Sequence, residues 1–206
     1  MTIFWCDDFE GNKLNPKWVA TRYSQGGQNN GVWTRDIKDS KIYWKPTSGG
    51  TETGWWGEII SLPVSAPGDI RIKAQIRQKR SAGSESRLGI GVNQSAGISV
   101  KYGLEMDPTG YAVQYFWGRN NFGQTAWPGF PSKVSNPTPS GDTIIIVTIV
   151  RKNGYLFIYG NNKYTGQNAY ATSISTVDLV FLVQQADITH EKWIDWIEVT
   201  PSSVVL

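Results

Sequence analysis

Residues 68–79 read GDIRIKAQIRQK, and the strict alternation of apolar and polar residues in this stretch decides the fold class. From Ile70 to Arg77 every second position is apolar, and the positions between carry basic or amide side chains. Successive side chains of a β-strand point to opposite faces, so the stretch predicts a strand with one buried face and one solvent face.

The same period of two recurs along the chain. Residues 98–107 alternate in the same way and lead into the turn sequence DPTG. Residues 143–151, TIIIVTIVR, form a β-branched run, and Asn153-Gly154 separates it from the next apolar run, which predicts a tight hairpin. At least a dozen such short segments without a long helical pattern predict a two-sheet antiparallel β-sandwich of the jelly-roll kind. No repeat and no linker divides residues 1–206, so we expect a single domain.

Composition excludes several classes of protein. The 206 residues are 39% apolar and 13% aromatic, which is enough apolar surface to fold, so disorder is not expected. A net charge of +3 is too small to favour nucleic acid as a partner. One Cys and one His exclude an internal disulfide framework and most metal or triad chemistry.

Targeting signals are also weak in this sequence. No segment approaches the roughly 18 consecutive apolar residues of a membrane span, so membrane insertion is not expected. The start, MTIFWCDDFE, has no basic region and no long apolar region of a signal peptide. We expect a location in the cytoplasm, on a virion surface, or outside the cell by another export route.

The two ends of the chain resemble a known superfamily. Residues 4–11, FWCDDFEG, and residues 193–199, WIDWIEV, resemble the first and last strands of concanavalin A-like jelly-roll domains. This superfamily includes laminarinase-type glucanases, laminin-G-like modules and many carbohydrate-binding domains. The resemblance implies that the terminal strands pair beside each other and close one edge of the sandwich.

The resemblance also implies a structural calcium ion. Laminarinase-like members often hold one between acidic residues near the first strand and the Asp of the last strand, and the matching positions are Glu10, Asp8 and Asp195. Calcium takes six to eight oxygen ligands, so neighbouring carbonyls would have to contribute. The alternative is that these carboxylates cap turns and accept hydrogen bonds from backbone amides.

Catalysis is the point where the chain departs from the family. Retaining laminarinase-type enzymes carry three acids on one strand, Glu-x-Asp-x-(x)-Glu, whereas residues 103–110 read GLEMDPTG and supply only Glu105 and Asp107. A divergent glycoside hydrolase using this pair is therefore the alternative to a non-catalytic module. We expect His190 to be a surface loop residue and Cys6 a buried structural thiol.

Ten tryptophans are the anomaly of the composition. Those in the terminal segments, Trp5, Trp18, Trp193 and Trp196, are predicted to be core. Others lie among Gly, Asn and Gln, which is typical of a glycan site that combines flat rings with a few polar groups. The predicted carbohydrate-binding residues are Trp33, Trp56, Tyr115, Trp117, Asn120, Asn121, Gln124 and Trp127. The alternative is a subunit interface, where Trp and Tyr are also enriched.

A row of basic residues is the last feature. Arg71, Lys73 and Arg77 share one face of the predicted strand, with Lys79 and Arg80 just beyond. Such a row would meet an acidic polysaccharide, a nucleic acid or a negatively charged protein surface, or it is a solvated strand face that discourages edge pairing. This strand itself has no interleaved aromatic residues.

The favoured hypothesis is a non-catalytic carbohydrate-binding or surface-recognition module. By analogy, a lectin-like single domain would suit a virion component that binds a receptor or decorates a capsid. The alternatives are the glycoside hydrolase above and a structural subunit of an oligomeric surface assembly.

Overall fold

The computed structural model describes residues 5–24, 31–49, 55–64, 69–79, 86–94, 101–107, 110–116, 134–135, 142–153, 155–169, 174–184 and 188–202. These residues form strands and connections, and none of them lies in a helix. In chain order the strands are β1 (Trp5–Asp7), β2 (Val19–Ser24), β3 (Val32–Ile37), β4 (Ile42–Ser48), β5 (Trp55–Pro63), β6 (Ile70–Lys79), β7 (Ser86–Gln94), β8 (Lys101–Asp107), β9 (Gly110–Phe116), β10 (Val134–Ser135), β11 (Asp142–Lys152), β12 (Tyr155–Gly160), β13 (Lys163–Ala169), β14 (Ile174–Gln184) and β15 (Glu191–Pro201).

The strands form two antiparallel sheets. Sheet A has the order β13-β12-β11-β6-β15-β4-β3, and β1 also pairs with β15. Sheet B has the order β10-β9-β8-β7-β14-β5-β2. One hydrophobic core draws its residues from both sheets, and the rings of Trp44 in sheet A and Phe181 in sheet B stack at 6.0 Å across it. The predicted all-β sandwich of the jelly-roll kind is confirmed.

The period of two in the sequence fixes which side chains enter this core. In β6, buried and half-buried positions alternate from Ile70 to Gln78, and the opposite row is basic or amide. Burying an isoleucine or leucine side chain contributes roughly 1.5–3 kcal/mol, so a one-residue shift of this strand would be costly. The half-buried row therefore lies on the outer face of sheet A.

Two-residue turns join several neighbouring strands. Asp39 and Ser40 both have positive φ, 53° and 54°, and the flanking Lys38 and Lys41 exchange backbone hydrogen bonds of 2.9 and 3.1 Å. This conformation matches the twist of the strands that it connects. The predicted hairpin after residue 151 is confirmed, because β11 pairs with β12 around Asn153, whose φ is 51°.

The terminal strands pair beside each other, as predicted. Trp5 pairs with Val199, and Asp7 with Ile197. β15 lies inside sheet A because one side pairs with β6, while the other side is shared between β4 and β1. Among the described strands of sheet A, β13 and β3 end the main order, and β1 forms the edge beside the last part of β15.

The core assignments of the terminal tryptophans are partly wrong. Trp18 is buried as predicted, and its indole Nε1 donates to Asp7 Oδ2 at 2.8 Å. Trp5 is partly buried against the core. Trp193 and Trp196 instead lie in the half-buried row of β15, because Ile194, Ile197 and Val199 take the core positions. A register shift between Ile194 and Trp196 places Asp195 and Trp196 together on the outer side.

Two single-residue predictions are also wrong. His190 is fully buried directly before β15, not on the surface. Cys6 is exposed, not buried. Partial burial, followed by the charges of Asp8, Glu198 and Asp7, raises the pKa of the Cys6 thiol, which keeps it protonated and weakly nucleophilic at neutral pH. In the described ranges, no helix has the length and apolar character needed to cross a membrane.

Candidate functional site

The outer face of sheet A brings together aromatic and basic side chains from three neighbouring strands. In the register of the sheet, Trp193 of β15 lies between Tyr43 of β4 and Arg77 of β6. Side chains directly opposite each other on neighbouring strands share a face, so these three form one row. Trp196 and Lys73 lie beside this row on the same strands.

Rings and cations of these strands and of the adjoining turn lie at contact distance. The Arg77 guanidinium lies 4.5 Å from the centroid of the Trp193 ring, and the Trp193 and Tyr43 rings are 5.4 Å apart at 39°. Lys38 Nζ lies 5.9 Å from the Tyr43 ring, and Lys73 Nζ lies 5.9 Å from the Trp196 ring. Distances up to about 6 Å allow cation–π attraction. The aromatic-basic face is defined by Lys38, Tyr43, Lys73, Arg77, Trp193 and Trp196.

Polar contacts hold the surroundings of these rings in place. Lys41, at the end of the Asp39–Ser40 turn, places Nζ 2.9 Å from Asp195 Oδ1. Gln75 Nε2 donates to Asp195 Oδ2 at 2.6 Å. Both carboxylate oxygens of Asp195 are therefore engaged, and the turn is tied to β15 and β6.

Glu191 anchors the tyrosine end of the row. The Tyr43 hydroxyl donates to Glu191 Oε1 at 3.2 Å, and Lys45 Nζ donates to the same oxygen at 3.0 Å. Burial, followed by the charge and hydrogen bond of Glu191, raises the pKa of Tyr43 to about 12. Burial also raises the pKa of Glu191, but the hydrogen bond and charge of Lys45 outweigh it, so this pKa is below its usual value. At neutral pH the phenol is a donor and the carboxylate is ionised.

Two predicted site residues, Trp33 and Trp56, lie side by side at the edge of the sandwich. Their ring centroids are 6.1 Å apart, and Trp33 is 5.9 Å from Trp44. Trp56 is 0% exposed, so its assignment to a binding surface is wrong, because a fully buried indole cannot stack on a sugar. A Cβ at Gly31 would lie 2.4 Å from the Trp56 ring, which explains the glycine there. Trp33 is half-buried, and the Arg22 guanidinium covers its ring at 4.6 Å.

An ion pair between a half-buried arginine and a buried glutamate lies beside these tryptophans. Glu58 is 6% exposed and lies 3.6 Å from Arg35, which reaches it from the other sheet. Burial raises the pKa of Glu58, while the charge of Arg35 and a hydrogen bond from Trp33 oppose the shift. Arg22 donates to the Gly31 carbonyl and so joins the edge strand of sheet B to the start of β3. These contacts join the two sheets at this edge of the sandwich.

The remaining predicted carbohydrate-binding residues stay predictions. Tyr115 lies in β9, but its side chain is outside the described part of the structure. The other five lie outside the described residues: Trp117, Asn120, Asn121, Gln124 and Trp127.

The predicted acid pair is placed only by its backbone. Glu105 pairs with Gly89 of β7 and Ala112 of β9, and Asp107 pairs with Gly110 at the end of the β8–β9 hairpin. The predicted pairing of these two strands is confirmed. The side chains of Glu105 and Asp107 lie outside the described residues, so their catalytic role stays a prediction.

The acids predicted to bind calcium do not fit a metal centre as they stand. Asp8 and Glu10 are exposed, and Asp8 Oδ1 accepts a 3.4 Å hydrogen bond from the Glu10 amide, as in the turn-capping alternative. Asp195 already holds Lys41 and Gln75. Across the described ranges, no three His, Cys, Asp or Glu side chains are grouped so that they would hold a metal ion. Calcium stays a prediction that this geometry does not support.

Sequence reasoning missed the aromatic part of the aromatic-basic face. The basic residues of β6 were found from their period, but Tyr43, Trp193 and Trp196 were not assigned to a site. A usable signal was present, because Trp193 shares its row with acidic Asp195, whereas Ile194 belongs to the opposite row. The contact between rings and cations could not be predicted from the sequence, because they come from different strands.

Comparisons with solved structures place the fold. A laminarinase from Flavobacterium sp. UMI-01 matches with a TM-score of 0.66 at 12% identity, over 96% of this chain and 99% of that chain. An endo-beta-1,3-glucanase from Pyrococcus furiosus matches with a TM-score of 0.64 at 10% identity, over 97% and 94%. The cellulose induced protein Cip1 matches with a TM-score of 0.57 at 17% identity, over 95% and 96%.

No protein-family model matches the sequence, and no curated protein matches it. At these identities the structural likeness shows the fold alone. The chain has a concanavalin A-like, laminarinase-like jelly-roll fold.

Proposed function

We propose that the protein binds carbohydrate through the aromatic-basic face. The observation that carries the proposal is the row of half-buried rings of Tyr43, Trp193 and Trp196 on the outer face of sheet A. An aromatic ring offers a flat apolar surface to the C–H groups of a sugar, and nearby polar groups satisfy its hydroxyls. A sheet face presents such rings side by side, as an extended sugar chain requires.

The groups around these rings suit sugar hydroxyls. Glu191 and Asp195 supply carboxylate acceptors, and Gln75 and Lys41 supply donors. Because each is already held by a neighbour, little side-chain freedom remains to be lost when a ligand binds. The face therefore combines fixed rings with fixed polar groups.

The structural neighbours support the same class of ligand. Two of them are a laminarinase and an endo-beta-1,3-glucanase, enzymes that act on carbohydrate. Fold does not decide function, so this support is secondary to that of the face itself.

Affinity electrophoresis tests the proposal. The purified protein would be run through gels containing laminarin, hydroxyethylcellulose or carboxymethylcellulose, and retention by at least one polymer is expected. Trp193→Ala should abolish most of this retention. Tyr155→Ala is the matched control, because Tyr155 is an exposed ring on β12 outside the face. Equal retention of the two variants, or no retention of the parent protein on a broad polysaccharide panel, would contradict the proposal.

The names of the neighbouring structures favour one second candidate, a glycoside hydrolase that uses Glu105 and Asp107. Release of reducing ends from laminarin that Glu105→Gln abolishes and Trp193→Ala leaves measurable would establish it. Retention without any release of reducing ends, in the parent protein and in Glu105→Gln alike, would favour a non-catalytic module. A place on a virion or in an oligomeric assembly stays a prediction.

A further inference from the structure

We infer that the ion pair of Glu191 and Lys45 determines which sugars the aromatic-basic face accepts, namely units with free, uncharged hydroxyl groups at the tyrosine end of the row. The inference rests on the proposed carbohydrate binding and adds the residues that set its specificity. It is carried by the position of the pair beside the rings and by the hydrogen-bonding capacity that the pair has left.

The pair lies in the row of sheet A next to the row of rings. Trp193 of β15 pairs with Tyr43 of β4. Glu191 and Lys45 lie two residues further along these antiparallel strands, about 7 Å away on the same face. The Glu191 carboxylate turns back toward the rings, because it accepts a hydrogen bond from the Tyr43 hydroxyl at 3.2 Å. A sugar stacked on the rings would therefore bring its hydroxyl groups to this carboxylate.

One oxygen of the Glu191 carboxylate is left to accept hydrogen bonds from a ligand. Oε1 accepts from both the Tyr43 hydroxyl and Lys45 Nζ, at 3.2 and 3.0 Å. Within the described ranges, no group donates a hydrogen bond to Oε2. The side chain is 26% exposed, so solvent reaches it. Asp195, the other acid beside the rings, already has a partner on each oxygen. Of these two carboxylates, Glu191 is the one with an acceptor to offer.

The lysine of the pair has donors to offer. Lys45 Nζ carries three hydrogens, and one of them is directed to Glu191 Oε1. Its side chain is 41% exposed. The pair therefore presents an acceptor and a donor side by side at the end of the row of rings.

A free hydroxyl group matches such a pair, because it donates one hydrogen bond and accepts another. It can donate to Glu191 and accept from Lys45 at the same time. A carboxylate or sulfate group has no hydrogen to donate and would place a negative charge against Glu191, whose lowered pKa keeps it ionised at neutral pH. A methyl ether also has no hydrogen to donate, so it would cover the carboxylate without satisfying it.

The pair is held in position before a ligand binds. The Tyr43 ring packs against Trp193 at 5.4 Å, and its hydroxyl fixes the Glu191 carboxylate. Little side-chain freedom remains to be lost, and a hydrogen bond to a charged group is stronger than one between neutral groups. The selection of hydroxyl groups at this position should therefore be measurable in the affinity for a polymer.

Retention of the full chain on polymers that differ only in their substituents tests the inference. The probes are hydroxyethylcellulose, whose substituents end in hydroxyl groups, methylcellulose, whose substituents are methyl ethers, and carboxymethylcellulose, whose substituents are acidic. Laminarin with its methylated and carboxymethylated derivatives forms a second set. In at least one set we expect the hydroxyl-bearing polymer to retain the protein several-fold more strongly than either derivative. This retention should be similar at about 0.05 and about 0.5 M NaCl, because salt screens charges and the ligand has none.

Two variants of the pair should change the preference in opposite directions. Glu191→Gln should weaken retention on the hydroxyl-bearing polymer roughly tenfold, because a charged acceptor is lost, and should narrow the difference from the carboxymethylated derivative. Lys45→Gln should also weaken retention but should widen that difference, because it leaves the negative charge of Glu191 without its cation. Opposite changes of preference would not follow from a general loss of structure.

Glu198→Gln is the matched control. Glu198 is a half-buried glutamate of the same strand, 29% exposed, and its Oε1 pairs with Arg71 at 3.3 Å. It therefore resembles Glu191 in exposure and pairing but lacks the hydrogen bond from a tyrosine of the face. The control should keep the retention and the preference of the parent protein.

The outcomes separate this inference from the proposed function. Equal retention on all members of a set that Trp193→Ala abolishes would overturn the specificity and leave carbohydrate binding intact. Stronger retention on the acidic derivative would do the same. A change in Glu198→Gln as large as in Glu191→Gln would overturn the assignment to this pair. Absence of retention on every polymer would overturn both the inference and the proposed function.

Discussion

Two arginine–tryptophan pairs in this molecule have nearly the same geometry and different surroundings. Arg77 lies 4.5 Å from the Trp193 ring on the outer face of sheet A, and Arg22 lies 4.6 Å from the Trp33 ring at the edge of the sandwich. Among the described rings, the one beyond Trp193 is the half-buried ring of Tyr43. Beyond Trp33 lie two fully buried indoles of the core.

The comparison shows that a contact between arginine and tryptophan does not by itself reveal whether the ring serves folding or binding. A ring that packs on the core takes part in folding, and its arginine covers it from solvent. A ring on an outer sheet face adds little to the free energy of unfolding, because solvent reaches it in the folded and in the unfolded protein. Such a ring stays available to a ligand. Variants that disturb one pair should therefore change stability, and variants that disturb the other should change binding.

The largest expected effect is on folding and comes from the pair of Arg22 and Trp33 at the edge of the sandwich. Trp33→Ala should lower the free energy of unfolding by about 3 kcal/mol, because the ring packs against the core indoles. Trp193→Ala should lower it by about 1 kcal/mol or less. Urea unfolding followed by far-ultraviolet circular dichroism measures both. Equal losses would remove the distinction between the two regions.

A second effect on folding tests the packing of Gly31 against Trp56 in the same region. Gly31→Ala should cost about 2 kcal/mol, because the added Cβ would lie 2.4 Å from the Trp56 ring and a buried indole would have to move. The same urea titration measures this loss. The polysaccharide retention of the folded variant should match that of the parent protein. A loss of retention with unchanged stability would place the ligand at this edge of the sandwich instead.

A smaller effect concerns pH and the buried carboxylate of Glu58, which pairs with Arg35. The folded-state pKa of Glu58 lies above the usual value of 4.5, so the folded state binds the proton more tightly than the unfolded chain. Stability due to this group falls as the pH rises from about 4.5 through the folded-state pKa. Glu58→Gln should flatten this part of the profile of melting temperature against pH.

A control separates this effect from the other titrating acids. Glu10→Gln changes an exposed glutamate and should keep the parent slope. Glu191 acts in a different pH range, because its folded-state pKa is lowered. Its contribution to stability is fully present when the pH is above the unfolded-state pKa, and it disappears as the pH falls through the folded-state pKa. An unchanged slope in Glu58→Gln would contradict the assignment.

Calcium is expected to have the smallest effect. Because Lys41 and Gln75 occupy both oxygens of Asp195, the geometry predicts the same melting temperature with calcium and with a chelator. A rise with calcium that Asp195→Asn removes would contradict this expectation and confirm the site predicted from the sequence. Differential scanning calorimetry measures either result.

Much of the fold was predictable because alternation determines which row of a strand is buried. β6 shows this well, since its isoleucines and basic residues separate cleanly into two rows. The prediction failed where both rows contain large apolar residues. In Trp193-Ile194 either residue would fill a core position, and the register shift at Asp195 moves Trp196 to the outer side.

The candidate site was harder to predict because it is assembled across strands. Tyr43, Trp193 and Arg77 are far apart in the sequence and meet only through the register of β4, β15 and β6. Trp56 illustrates the opposite error. It follows a polar, glycine-rich stretch, residues 49–54, but it packs against Gly31 and Trp33, which no local pattern reveals.

Nuclear magnetic resonance of the indole N–H groups tests the central claim most directly. Protein with ¹⁵N-labelled tryptophan would be titrated with soluble fragments of a polysaccharide that retains it, and the signals would be assigned by single Trp→Phe variants. We predict shifts at Trp193 and Trp196, with Trp33 and Trp56 unchanged. Shifts confined to Trp33, Trp117 or Trp127 would contradict the claim that the aromatic-basic face binds the ligand.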